Sequence, residues 1–293
     1  MKRNGADHDL EAHIRRMVDA YNATTQLDLL GLSPIQLAQL LDGDWRSVGA
    51  VRLAGTLPAE RVDEAWAYRA AFRLLRLIRD QGSAPVTATG NLNRKFVAQA
   101  LAALDFTAEE LDQIHRYNKV VNEDDVPRLR ELRETLTTCG YLRRQRGFRV
   151  TALGRRLLDG ASGTPGETFR RLFMGRMGVQ RRWLDREGDP FRTPLGPALY
   201  LLARRAGEWI EQLELDAGLL IPSLVPHETP FQLGMMAYRW VIAPALDFGL
   251  VEFKPKAKLL DPSYLKTTPL FEDFVSFRFE EPGAGRPRLR LVR

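Results

Sequence analysis

Of the 293 residues, one is cysteine and four are histidine. The lone Cys139 excludes an internal disulfide, and its place at the end of an amphipathic segment predicts burial. His8, His13, His115 and His227 are scattered, so no zinc-ligand spacing exists, and His8 and His13 do not share a helix face. No run approaches the roughly eighteen apolar residues of a membrane span, so no membrane partner is expected. The first residues are charged with no apolar stretch behind them, which argues against a secretory signal and predicts a cytoplasmic protein. No phosphate-binding G-x-x-x-x-G-K-[ST], nucleophile elbow or dinucleotide fingerprint is present. Asp185, Glu187 and Asp189 alternate with Arg181, Arg182 and Arg186, as on a solvated face. The chain therefore reads as non-enzymatic, with no cofactor and no metal.

What is present is charge laid down in blocks. Basic residues number 43 against 37 acidic, a net +6, which permits nucleic-acid binding without demanding it. Residues 141–160 carry six arginines against Asp159 alone, and 168–186 carry six more against Asp185. Residues 105–125 are the reverse: Asp105, Glu109, Glu110, Asp112, Glu123, Asp124 and Asp125 face only Arg116 and Lys119.

Helical periodicity dominates. A first helix is expected over 10–22, with Leu10, Ile14, Met17, Val18 and Tyr21 on one stripe, and a second opens at Ser33-Pro34. A long helix is expected from near Pro58 to the stop at Gln81-Gly82, followed by a β-competent Ala84–Thr87 and a helix carrying Phe96, Val97 and Ala100. Thr107 caps an extra helix. Pro127 then opens the segment bearing Leu129, Leu132 and Leu136, which halts at Gly140. Tyr141–Arg144, the turn Gln145-Arg146-Gly147 and Phe148–Thr151 form a hairpin, and a short helix closes at Leu157. Residues 58–158 thus have the order of a winged helix with one inserted helix. The fold expected is mainly α with small β-hairpins: an N-terminal element at 10–55, the winged-helix-like module at 58–158, a helical region at 167–281 and a basic tail at 282–293. Residues 160–166 are the best linker. A second hairpin is expected in the helical region, because Phe248-Gly249-Leu250-Val251 echoes Cys139-Gly140-Tyr141-Leu142, and Lys266-Thr267-Thr268 echoes Arg149-Val150-Thr151.

Several short motifs carry a resemblance. Gly31-Leu32-Ser33-Pro34, Thr87-Ala88-Thr89-Gly90-Asn91-Leu92 and Thr151-Ala152-Leu153-Gly154-Arg155 occur in this order, and the chain is similar in them to a group of uncharacterised bacterial proteins. The resemblance spans roughly 10–275 and implies a mainly helical protein with winged-helix-like parts; it brings no activity. The second hairpin departs from the pattern, lacking a Thr-x-x-Gly.

Two surfaces are candidates for function. The hairpin offers Arg143, Arg144, Arg146 and Arg149, with Arg128 and Arg130 on the preceding helix and Arg170, Arg171, Arg181 and Arg182 downstream, for phosphate-backbone contact with nucleic acid. Against insertion of that helix in a groove stand Glu123, Asp124 and Asp125 at its start, which repel phosphate unless the loop folds away. The second surface is the Thr87–Leu92 turn, where Gly90, Asn91, Arg94 and Lys95 can hold an anion or simply make a strand-to-helix junction. The alternative partner is a protein, or a second copy, which the acidic 105–125 segment suits better than DNA. Trp183, Phe191, Tyr200, Trp209, Phe231, Tyr238 and Trp240 are expected as core, with Trp183 the one placed to stack on a base.

Overall fold

The computed structural model describes residues 5–41, 45, 49–187, 195–219, 234–235, 237–256 and 261–279, the side chains of 5–11, 28, 183–187 and 217–219 excepted. The tail 282–293, Asp189, Phe191, His227 and Phe231 lie outside the described residues, as do the side chains of His8, Trp183, Asp185, Arg186 and Glu187. The architecture is mainly α, with three small antiparallel sheets among the described residues.

Helices α1 (Gly5–Ala23) and α2 (Pro34–Leu41) lead to strand β1 (Val51–Leu53). The long helix expected from Pro58 is two: α3 (Ala59–Glu64) and α4 (Trp66–Asp80), broken where Ala65 turns extended. No glycine or proline marks this break. It is held by Arg69, whose guanidinium donates to the free carbonyls of Asp63 (2.7 Å) and Glu64 (2.6 Å). The fully buried Ala65 packs against Gly249 from the far end of the chain.

The next stretch follows the expected order: β2 (Ala84–Pro85), α5 (Arg94–Ala103), α6 (Ala108–Tyr117), α7 (Pro127–Thr138), β3 (Leu142–Arg144), β4 (Gly147–Val150) and α8 (Ala152–Leu158). Local chemistry sets the boundaries. Asn93 caps α5, Thr107 and Glu110 close a capping box on α6, and Pro127 opens α7. The strands order β2-β4-β3, which puts β3 at an edge.

Helix α9 (Pro165–Glu187) then runs back along α7. Gly175 permits the approach, since a Cβ there would collide with Cys139 Sγ. Phe169 and Phe173 carry the contact onward, meeting Phe248 and Phe274 edge to face with centroids 4.9–5.4 Å apart. The stretch 160–165 before α9 is largely exposed, and only Gly166 at its end is packed, where a Cβ would lie 2.5 Å from the Gly55 carbonyl oxygen. Buried residues from Leu32 to Val275 accordingly form one hydrophobic cluster.

Beyond α9 the pattern returns. Helix α10 (Leu195–Arg204), β5 (Ile210–Glu211) and α11 (Gln212–Leu219) precede a π-turn at Tyr238–Ile242, α12 (Ala243–Asp247), β6 (Val251–Lys254), β7 (Tyr264–Thr267) and α13 (Pro269–Phe274), with strand order β5-β7-β6. The echo in sequence is an echo in bonding. In the first unit Thr151 Oγ1 donates to Gly140 O (2.7 Å), Thr151 N to Tyr141 O (3.0 Å) and Tyr141 N to Leu136 O (2.9 Å). In the second, Thr268 Oγ1 donates to Gly249 O (2.6 Å), Thr268 N to Leu250 O (3.0 Å) and Leu250 N to Ala245 O (2.8 Å). Both glycines take the left-handed conformation, φ +75° and +63°, that frees them to end a helix. The missing Thr-x-x-Gly has a local cause. A Cβ on Gly154 would sit 2.5 Å from Tyr141 O, whereas the corresponding Phe271 fills the core. A last strand, β8 (Val275–Phe277), pairs with β1 and ties the two ends of the fold together.

Candidate nucleic-acid interface

Hairpin β3–β4 presents four arginines, Arg143, Arg144, Arg146 and Arg149, all exposed. Arg143 and Arg149 are direct cross-strand partners and so point from the same face of the sheet. Leu142, Phe148 and Val150 point the other way and are buried. Among the described residues, no carboxylate pairs with any of the four. Two like charges set opposite each other cost roughly 0.2–1 kcal/mol of hairpin stability. Arg144 lies on the inward-facing register beyond the edge of the core, and its guanidinium rests over Gly90. A Cβ at position 90 would come within 2.7 Å of Arg144 Cζ. This contact brings the hairpin and the Thr87–Leu92 turn, read separately from the sequence, onto one surface.

The turn itself is closed by its own hydrogen bonds. Thr87 N donates to Asn91 O (2.8 Å), Gly90 N to Thr87 O (2.9 Å) and Leu92 N to Glu123 Oε2 (2.8 Å), so these three N–H groups are committed within the protein. Asn91 does not cap α5, as the junction reading expected. Asn93 does, through Phe96 N (2.8 Å), while Asn91 Nδ2 donates to Asp124 (2.7 Å). Arg94 donates to Asn122 Oδ1 (2.9 Å), and Lys95 beside it is exposed.

The two arginines offered from α7 are engaged internally. Arg128 is half-buried, bridges Glu110 and Asp247, and stacks 3.7 Å from the Trp66 ring centroid. Arg130 pairs with Asp124 at 3.0 Å. Of α7, only Pro127, Thr137 and Thr138 are exposed, because α9 covers its outer side and Arg176 of α9 holds Glu131 at 2.8 Å. So covered, α7 leaves little of its side-chain surface to solvent. On α9, Arg171 donates to Cys139 O (2.9 Å) and Arg182 to Thr138 Oγ1 (2.7 Å), while Arg170 and Arg181 are exposed.

Of the acidic residues at the start of α7, Glu123 is turned inward, while Asp124 stays 57% exposed. Glu123 is fully buried, paired with Arg133 and capping Leu92 N. Asp124 holds Asn91 and Arg130, and Asp125 accepts from Asn122 N (2.8 Å). Further along the acidic segment Asp105 pairs with Arg69 and Arg73, Glu110 with Arg128, and Asp112 with Arg116. Burial takes Glu123 out of the set expected to repel phosphate, while Asp124, 57% exposed, stays in it. Arg133 was the residue sequence reasoning missed. It stands on the Leu129, Leu132, Leu136 stripe at i, i+3, i+4, i+7, the spacing that signals burial, and its guanidinium lies 4.6 Å over the Phe148 ring. Among the described residues, no group of His, Cys, Asp and Glu can hold a metal, and no helix is long and apolar enough to cross a membrane.

These features define a mainly α protein with an arginine hairpin on a small three-stranded sheet. Comparison with known proteins places the hairpin inside a recognised segment: residues 63–167 match the family model of the Y4jL N-terminal domain. An uncharacterized protein y4jL of Sinorhizobium fredii is 38% identical over 79 residues, which are 27% of this chain and 36% of that protein. The chain thus covers little more than a third of the length of that relative. No solved structure matches. The resemblance to an uncharacterised bacterial family is supported over this segment, which includes Thr87–Leu92 and Thr151–Arg155 and leaves out Gly31–Pro34.

Proposed function

We propose that residues 58–158 form a winged-helix unit with one inserted helix, and that its wing contacts the phosphate backbone of nucleic acid. The observation that carries this is the exposed cross-strand pair Arg143 and Arg149, flanked by Arg144 and Arg146, with no carboxylate partner among the described residues. A like-charge pair that weakens its own hairpin is relieved by an external anion. The order of elements and the β2-β4-β3 sheet support the winged-helix assignment. Contact is through the hairpin, with the Gly90 turn against Arg144, and not through α7.

The test is duplex binding by fluorescence anisotropy across a salt series. Wild type should bind a 20-base-pair duplex of any sequence (roughly the footprint of a small module), with affinity falling steeply as salt rises. Each phosphate contact removed lowers the log–log salt slope by about 0.9. Replacement of Arg143, Arg144 and Arg146 by alanine should therefore flatten the slope by roughly 2–3 and leave the melting temperature nearly unchanged. Unchanged affinity and slope would refute the assignment.

Self-association is favoured by a separate observation. On α1, Ile14, Met17, Val18 and Tyr21 are 51, 61, 49 and 62% exposed, a helical stripe with nothing packed on it among the described residues. A second copy of α1 is the occupant such a stripe suits. Sedimentation velocity should show a dimer that Met17→Glu dissolves; a monomeric wild type sinks this second proposal and leaves the first untouched. The acidic 105–125 segment, by contrast, has most of its carboxylates paired internally and offers little to a basic partner.

A further inference from the structure

A cleft of about 960 Å³ opens between β1, the first half of α9 and the root of β3. Its walls hold three guanidinium groups, Arg52, Arg170 and Arg171, against one carboxylate among the described lining residues, Glu167. That carboxylate is already committed: Glu167 Oε2 accepts from Thr164 N (2.9 Å) while Thr164 Oγ1 accepts from Glu167 N (3.2 Å), closing a capping box at the start of α9. The arginines are oriented without being neutralised. Arg52 donates to the carbonyls of Gly49 and Val51, and Arg171 to the carbonyl of Cys139. Arg170 has no carboxylate partner among the described residues and lies over Gly55, where a Cβ would be 3.1 Å from its Nη1. Backbone carbonyls hold the Arg52 and Arg171 forks in place without neutralising their charge.

The rest of the lining is different in kind. Trp45, Leu53 and Met174 supply apolar surface, with Trp45 backed by a stacked Phe173 at 6.3 Å. Three arginines together with an apolar wall suit a molecule with an anionic group and a flat, weakly polar body. The volume is at the upper end of the usual range for small-molecule sites, roughly 300–1,000 Å³.

We propose that this cleft binds a small phosphorylated molecule of the nucleoside-phosphate class, with its phosphates on Arg52, Arg170 and Arg171 and its base against Trp45 and Met174. The proposal is independent of the hairpin contact. The phosphates of a nucleic-acid strand share this chemistry, so the experiment separates the two sources. Titration calorimetry on the full chain should show saturable binding of adenosine mono-, di- and triphosphate, at least tenfold weaker binding of adenosine and of pyrophosphate, and a loss of tenfold or more in Arg170→Ala. Arg170 is exposed and makes no internal ion pair among the described residues, so its replacement tests binding and not folding. The hairpin variant Arg143→Ala/Arg144→Ala/Arg146→Ala should bind the nucleotides as wild type does. No nucleotide binding in the wild type overturns the proposal, as does binding that Arg170→Ala leaves intact. Displacement of the nucleotides by duplex, with Arg170→Ala weakening both, assigns the arginines to the strand and equally overturns it.

Discussion

Glu123 is the residue whose replacement tests the fold most sharply. Its carboxylate has no exposure, pairs through Oε1 with Arg133 Nε and accepts Leu92 N through Oε2 at 2.8 Å. One side chain thereby ties the Thr87–Leu92 turn to α7, and through Arg133 to Phe148 of the hairpin. Glu123→Ala removes the nearer of two carboxylates from a guanidinium only 9% exposed, leaving Glu134 at 3.7 Å, and orphans a buried backbone N–H. The first loss is worth about 3–5 kcal/mol and the second about 1–3, with relaxation taking back part of the sum. The expected cost is about 4 kcal/mol. Glu123→Gln keeps an acceptor for Leu92 N and should cost roughly 1–2 kcal/mol less. Arg133→Met strands the carboxylate instead and should cost about 3–5 kcal/mol. The double variant Glu123→Gln/Arg133→Met should then be less damaged than the sum of its parts by about 1–3 kcal/mol. Urea denaturation followed by circular dichroism measures all four. Single variants within 1 kcal/mol of wild type, or an additive cycle, would show that the pair does not clamp the turn.

Two further outcomes are expected. Burial pushes the Cys139 thiol up to about 12 against the opposing charge of Arg171, leaving a thiolate fraction of about one in ten thousand at pH 8; a disulfide reagent should label this sole cysteine only as the protein unfolds, and complete labelling within minutes in native buffer would contradict it. Burial likewise pushes the Asp247 carboxyl up to about 6, against the nearby charges of Arg128 and Arg176, so between about pH 4 and 6 the folded state holds a proton that the unfolded chain has released. This group's contribution to stability is largest at low pH and falls as pH rises through that window. Asp247→Asn should gain on wild type by about 2–3 kcal/mol from pH 4 to 7, and parallel stability curves for the two would rule the effect out.

Much of the architecture was legible because its signals are local. Gly140 and Thr151, or Gly249 and Thr268, mark helix stop and helix start within a few residues, and the bonds between them lie inside one hairpin. What escaped notice depends on distant partners. The break at Ala65 has no glycine or proline to announce it and is held by Arg69. Glu123 looks like a solvated acid until Arg133 and the Leu92 N–H are folded against it. Arg128 looks like a surface cation because Asp247, its partner, is 119 residues away. Of the aromatic residues expected as core, Trp240 is buried and Tyr200 meets Phe277 and Phe279 edge to face, but Tyr238 is 43% exposed and Trp209 is covered by Lys254 at 3.7 Å. The hairpin arginines are visible from composition, but their lack of a carboxylate partner among the described residues is not.

The sheath that α9 lays over α7 constrains how such a protein can discriminate among nucleic acids. In the proposed mode of contact no side chain of α7 reaches a base edge, so donor and acceptor patterns in the major groove go unread. Any preference among sequences has to be earned through the duplex as a deformable body, by its groove width and the stiffness of its steps. Selectivity of that kind is graded, shifts with supercoiling, and survives single base-pair changes that abolish binding by a groove-reading helix.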